Sequence, residues 1–445
     1  MATWKCPQEW SEWMNWLAAG LHGRCRWRLP VLLLGILFAR QPQTVASWLR
    51  AAAVGRGFSG YYYFISAVGR KSKSVAARLF SLLLRNLPSG ERLLLALDDT
   101  PTKRYGPKVQ GAGIHHNPTP GPADAKYLYG HIWVTLSWVL RHRLWGTIGL
   151  PLLAALYVRQ KDIAAIPKSL RWQFQTKLQQ GADLVSWAAG IAISAGKRLW
   201  VVADGAYAKR AFLKPMLKLG VIVVSRLRKD AHLNTLPPKL RKGQRRGPGK
   251  PRKYGKKRIS LAKRAAARRG WGTIECVQYG QRVVKKYKSF LATYRPAYGL
   301  IRVVIVQEAT GPEFFFCTDP DARVVEILET FADRAAIEQD FHDLKVIWGI
   351  GKQQLRHLWA NIGAYHLNLW MHALVELWAW AKPKHEVCDR RDSPWDDPGR
   401  RPSHADRRKA LRRSILQHEY LSLARYGRAA RKLAALAQQL LKLAV

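Results

Sequence analysis

The stretch Leu93-Leu94-Leu95-Ala96-Leu97-Asp98-Asp99-Thr100-Pro101 reads as a short buried strand that runs out into two aspartates and stops at a turn. The pattern recurs at Leu199-Trp200-Val201-Val202-Ala203, which ends in Asp204-Gly205. In open α/β sheets ligands gather at the carboxyl ends of strands, so two such aspartates are candidates for one site. The plainer reading is that each begins a turn or caps a helix. Along a strand the side chains alternate faces, so only one of Asp98 and Asp99 can point at a common site.

Outward from these strands the chain reads as mixed α/β. Residues 1–88 carry helical spacing, as in Trp10, Trp13, Met14 and Leu17, and a helical DNA-binding region is expected there. Ile132–Leu140 and Leu144–Leu150 are strand candidates, followed by a long helical stretch over 169–195 and a strand at Val221–Ser225. Lys239–Arg269 holds 15 Lys and Arg in 31 residues, with no acid and a Gly/Pro-rich middle. Such a segment tracks a polyanion backbone electrostatically. Its candidate contacts are Arg245, Arg246, Lys250, Arg252, Lys253, Lys256, Lys257 and Arg258. Further strands are expected at 273–278, 288–293, 301–306 and 313–317, then long helices over 322–347 and 355–380. His115 and His116 read as part of a Gly/Pro-rich loop.

Charge narrows the function. The 445 residues carry 75 Lys and Arg against 29 Asp and Glu, a net +46. A field of that size draws polyanions, and 48% hydrophobic residues with 19 Trp exclude a disordered basic tail. No apolar run reaches the roughly 20 residues a spanning helix needs, and no signal peptide is evident. The five cysteines are scattered without a Cys-x-x-Cys pair, which fits a reducing cytoplasm and neither a disulfide framework nor a structural zinc site. Nucleic acid is the expected partner.

In a chain so short of acids, the helix around Phe331-Ala332-Asp333-Arg334-Ala335-Ala336-Ile337-Glu338 carries weight. At roughly 100° per residue, Phe331, Arg334, Glu338 and Lys345 share one narrow face, while Asp340 and Asp343 turn away. An ordinary helix salt bridge would place Arg and Glu the same way. An aromatic, two cations and a carboxylate in line also suit a site that holds metal and phosphate together.

The spacing Phe331…Arg334…Glu338…Lys345 resembles the Tyr-x2-Arg-x3-Glu-x6-Lys signature of the IS4-type DDE transposases, with phenylalanine in place of tyrosine. Leu94–Thr100 resembles the family's first aspartate block, and Val201–Tyr207 its second. The Asp-Asp-Thr form resembles the IS701-like branch. The resemblance implies an RNase H-like α/β domain: a mixed five-stranded sheet with flanking helices, a mainly β insertion domain and a helical N-terminal domain. The implied division is 1–88, the helical N-terminal region; 89–226 and 321–382, the two parts of the catalytic domain; 227–320, the basic loop and β insertion; and 383–445, a linker and basic helical tail. It also implies two Mg²⁺ (or Mn²⁺) ions, with Asp99 bridging both, Asp204 on one and Glu338 on the other; Asp98 is the alternative to Asp99. Arg334 and Lys345 would bind DNA phosphates and Phe331 would pack or stack. Double-stranded DNA is then the partner, as terminal inverted repeats and target, bound by a homodimer of a cytoplasmic, nucleoid-associated transposase. The rival expectations are another RNase H-like nuclease and a catalytically inactive DNA-binding descendant.

Overall fold

A computed structural model of the chain describes residues 6–40, 42–117, 125–238, 249–388, 395–397 and 399–423. Arg245 and Arg246 lie outside the described residues.

Five helices open the chain: α1 (Gln8–Ala18), α2 (Arg28–Phe38), α3 (Val45–Ala51), α4 (Ser59–Arg70) and α5 (Ser72–Asn86). Helix α1 buries Trp10, Trp13, Met14 and Leu17, the stripe that a 3.6-residue period selects. Thr44 starts α3 by accepting the Ser47 N–H on its hydroxyl oxygen.

The sheet begins with β1 (Arg92–Lys103), β2 (Gly113–His116), β3 (Tyr127–His142) and β4 (Gly146–Tyr157). Helix α6 (Lys177–Ser194), entered through a Thr176/Gln179 capping box, leads to β5 (Arg198–Ala203), α7 (Arg210–Lys218) and β6 (Ile222–Arg226). Strands β1, β5 and β6 run parallel, β3 lies antiparallel to β1, and β4 antiparallel to β3. The order β4-β3-β1-β5-β6 is the RNase H-like sheet. Leu93–Leu97 of β1 and Leu199–Ala203 of β5 are buried throughout, which is why both read as continuous apolar runs.

The insertion does not form a separate sheet. It comprises β7 (Leu233–Asn234), β8 (Arg258–Ile259), α8 (Leu261–Ala266), β9 (Gly272–Gln278), β10 (Gln281–Tyr294), β11 (Gly299–Glu308) and β12 (Gly311–Cys317). Strand β12 pairs with β6 through Val224–Arg226, so the expected five strands extend into one twelve-stranded sheet among the described residues. The short β7–β8 pair ties the end of the basic segment to β10 and leaves Lys250, Arg252, Lys253, Lys256, Lys257 and Arg258 exposed.

Two expectations are corrected here. His115 and His116 do not lie in a loop: they belong to β2, where strand alternation buries His115 and exposes His116. The helix through Phe331 is broken. Helix α9 (Val324–Asp333) ends at Arg334, and α10 (Ala335–Val346) starts after it. Arg334 N–H donates to Phe331 O and Ile337 N–H to Arg334 O, so the chain tightens to i→i−3 bonds at this turn.

Helix α11 (Leu358–Ala379) is buried along almost its whole length. It crosses α4 at Gly363 and Gly69; a β-carbon at either would overlap backbone of the other helix, so only glycine permits this approach. After the short α12 (Lys384–Val387), α13 (His404–Leu423) closes the fold. Its Arg412 donates to Leu37 O (2.5 Å) and its Arg408 to Ile347 O (3.1 Å). These arginines supply cations to the C-terminal ends of α2 and α10, where carbonyls lack helical partners.

Candidate active site

Asp98 and Asp99 lie in the middle of β1, which does not stop at the expected turn after them but stays paired with β3 through Lys103; Asp204 follows the end of β5, the parallel neighbour. The register sets Leu97 beside Ala203, so adjacent strands deliver both aspartate blocks to one edge of the sheet. Helix α10 packs against β1, β3 and β4 and brings Glu338 to the same edge.

Strand alternation sends the two neighbouring aspartates to different partners. Asp98 Oδ2 accepts from Arg334 Nη1 (2.6 Å), and the same guanidinium donates through Nη2 to Glu338 Oε1 (2.5 Å). Asp99 Oδ2 accepts from Lys177 Nζ (2.6 Å) at the first turn of α6. Asp204 turns one oxygen back to the Ala206 N–H (3.3 Å).

Two open spaces meet at Asp99. A cleft of 1190 Å³ is lined by Asp99, Asp204, Lys177, Tyr207 and Arg226. A cavity of 660 Å³ is lined by Asp98, Asp99, Glu338, His342 and Lys345. Asp99 is common to both. Phe331, Arg334 and Glu338 stay in contact despite the break: the Arg334 guanidinium lies 5.6 Å from the Phe331 ring centroid and bonds Glu338, while Lys345 lines the same cavity as Glu338. Phe331 itself packs on Phe315 (4.8 Å between centroids) and beside Arg226 (5.4 Å), half-buried in an aromatic pocket.

The electrostatics follow from crowding acids in a partly desolvated place. Burial pushes the Asp98 carboxyl up to about 6, with the Asp99 and Asp204 charges adding to the rise and Arg334 opposing it. Burial raises the Tyr207 phenol well above its ordinary range, and the charges of Asp99, Asp98 and Asp204 raise it further. Its hydroxyl is buried beside these carboxylates without a hydrogen-bond partner among the described residues. Burial lowers Lys345, which makes no ion pair among the described residues. The four carboxylates, Asp98, Asp99, Asp204 and Glu338, are hard oxygen donors of the kind Mg²⁺ or Mn²⁺ takes. The cations set against them here, Lys177 on Asp99 and Arg334 on Asp98 and Glu338, show that the site draws positive charge.

Sequence reasoning missed Lys177 and the Arg334 bridge to Asp98. Lys177 carries no signal of its own; only the capping box before it marks where α6 begins. A second cluster, His372, Glu376 and His404, gathers ligand atoms within 4.8 Å of one another in the buried contact between α11 and α13. Its geometry argues against an ion. The two imidazoles stack at 3.8 Å and 10°, which puts their lone pairs in parallel planes. Trp348 Nε1–H donates to His404 Nε2, so the His404 proton sits on Nδ1 and goes to Glu376. Arg407 donates to the same Glu376 oxygen (2.8 Å), completing a charge-balanced network.

Residues 17–282, more than half of the chain, match the family of DDE superfamily endonucleases. The match takes in Asp98, Asp99 and Asp204 and ends before Glu338. No curated relative matches the sequence. An RNase H-like sheet whose neighbouring strands β1 and β5 bring their aspartates together, read with this match, places the chain in the DDE superfamily of endonucleases.

Proposed function

We propose that this endonuclease is a DNA transposase, of the IS701-like branch of the IS4-type group, that cuts the ends of an insertion sequence and joins them to target DNA. It acts as a homodimer on paired terminal inverted repeats. Asp99, Asp204 and Glu338 are its metal ligands. The observation that carries this reading is the position of Asp99, which lines both the cleft shared with Asp204 and the cavity shared with Glu338. Asp98, bound to Arg334, is assigned the role of holding that guanidinium against Glu338.

Two Mg²⁺ or Mn²⁺ ions held by these carboxylates would activate the attacking water or 3′-hydroxyl and stabilise the leaving oxygen of an in-line displacement. The protein's own groups do the rest. Lys345, a half-buried cation without a carboxylate partner among the described residues, binds a phosphate beside the scissile one. Arg334 keeps Glu338 oriented before DNA arrives and turns a donor to the phosphate once the acids are neutralised. Lys177 holds the Asp99 carboxylate in place until then. The exposed cations at 250–258 attract flanking duplex without reading sequence. Phe331 supplies packing for the turn at Arg334 and has no hydroxyl to donate.

The test is to incubate the full chain and Mg²⁺ or Mn²⁺ with DNA bearing the sequences that flank its coding region, plus a target plasmid. The expected products are double-strand breaks at both element ends and covalent joints to target with short duplications. Cleavage without joints would make it another RNase H-like nuclease. Binding without cleavage would make it an inactive descendant.

A further inference from the structure

The loop after β1 (residues 104–112) and the loop between α10 and α11 (347–357) enclose a groove of 820 Å³ that opens beside the carboxylate cavity. Lys352 lines both spaces, so they lie side by side. The groove wall includes Arg104, Lys108, Lys352 and Arg356, with exposed Tyr105 at its rim, and no acid. Lys108, Lys352 and Arg356 are exposed and make no ion pair among the described residues.

The groove is built rather than loose. Arg104 is buried and clamps the two loops: its Nε donates to His131 Nδ1 (3.1 Å) and its Nη1 to Gly351 O (2.8 Å). Gln110 N–H donates to Arg356 O (2.9 Å), and Leu358 N–H donates to Gln110 Oε1 (2.9 Å). Gly351 sits at φ +94° against the backbone of Lys103, a conformation and a closeness that suit glycine alone. Such a scaffold needs little backbone ordering when a ligand arrives, which leaves only the exposed side chains to be fixed. Free cations spaced along a rigid wall fit a phosphodiester backbone, and an exposed tyrosine offers a face on which a base stacks.

We propose that this groove holds the DNA strand leading away from the scissile phosphate, with Lys108, Lys352 and Arg356 on successive phosphates and Tyr105 stacked on an unpaired base. The inference rests on the endonuclease reading above and adds the side from which DNA enters. It is tested with the full chain carrying Lys108→Glu and Arg356→Glu together, and separately with a photo-crosslinking benzoylphenylalanine in place of Tyr105. Fluorescence anisotropy with a duplex ending in a single-stranded flank is expected to show at least a tenfold loss of affinity in the double variant. The slope of log K against log salt should flatten by about two. The melting temperature should hold, because both residues are exposed. Crosslinks from position 105 should map within a few nucleotides of the cut.

Wild-type affinity and slope in the double variant, or crosslinks scattered along the duplex, would overturn the groove while leaving the catalytic assignment standing. Loss of cleavage in Glu338→Gln with the position-105 crosslink intact is the reverse pattern, which supports the groove independently of the chemistry. Preferential crosslinking to a single-stranded RNA of the same sequence would overturn the assignment to DNA.

Discussion

Asp99→Asn, Asp204→Asn and Glu338→Gln are each expected to lower end cleavage by about 10³-fold or more, equivalent to roughly 4 kcal/mol of transition-state stabilisation. Each swap keeps the shape of the side chain and removes the charge that neutralises a divalent cation. DNA binding should stay the same or tighten slightly, because a negative charge facing phosphate has been removed. Asp98→Asn is the informative contrast. Its carboxylate is committed to Arg334, so its loss should free the guanidinium and lower cleavage only by about tenfold, the effect of one misplaced positioning group. Cleavage assays on labelled element ends, run beside anisotropy on the same DNA, separate the two quantities. A Glu338→Gln enzyme that cuts within threefold of wild type would remove Glu338 from the site.

The second large effect concerns stability. Glu376 is fully buried on α11, and Arg407 donates to its Oε1 through both Nε (3.0 Å) and Nη2 (2.8 Å). Burial alone would raise this carboxyl, but Arg407, His404 and His372 outweigh it and hold it down at about 2. Glu376→Gln leaves the Arg407 charge buried and unpaired, which should destabilise the fold by about 3–5 kcal/mol. In a chain of this size that is a loss of roughly 3–5 °C in melting temperature. Replacing both partners, Glu376→Gln with Arg407→Met, should recover much of the loss, because no uncompensated charge remains. A single variant melting within a degree of wild type would refute the network as a structural element.

The same core sets the response to acid. Burial holds His404 and His366 at about 4, and His131 at about 3, below the ordinary value of 6.5. A histidine lowered in the folded state contributes stability above pH 6.5 and loses it as pH falls toward the folded value. Glu376 adds a similar loss at lower pH, from about 4.5 toward 2. His372 runs the other way: burial lowers it, yet Asp340, Glu376 and Asp343 together raise it, so it partly offsets the others. Thermal melts should therefore fall steadily from pH 6.5 to 4.

Much of this was legible in the sequence because the informative signals were local. Apolar runs that lead into aspartate gave β1 and β5, though β1 runs on past its aspartates to Lys103 where a turn was expected. The three-residue and four-residue offsets at Phe331, Arg334 and Glu338 placed an aromatic, a cation and a carboxylate in contact. What escaped depended on distant partners. Nothing near Asp98 announces Arg334, 236 residues away, and nothing near Asp99 announces Lys177. The continuous sheet also required tertiary knowledge, since the pairing of Phe315–Cys317 with β6 has no local signature. The break at Arg334 was invisible to a periodicity argument, because a single tightened turn shifts the helical phase without changing the residue types. His115 was misread because glycine and proline on either side of β2 hide a four-residue strand.

The central claim is that Asp99, Asp204 and Glu338 together hold divalent cations, with Asp99 between the other two. It is tested most directly by titrating Mn²⁺ into the full chain and counting bound ions by electron paramagnetic resonance. Wild type should take up Mn²⁺, Asp99→Asn should lose both ions, Asp204→Asn and Glu338→Gln should each lose one, and Asp98→Asn should retain both. Undiminished Mn²⁺ uptake by Asp99→Asn, or its loss in Asp98→Asn, would contradict the account.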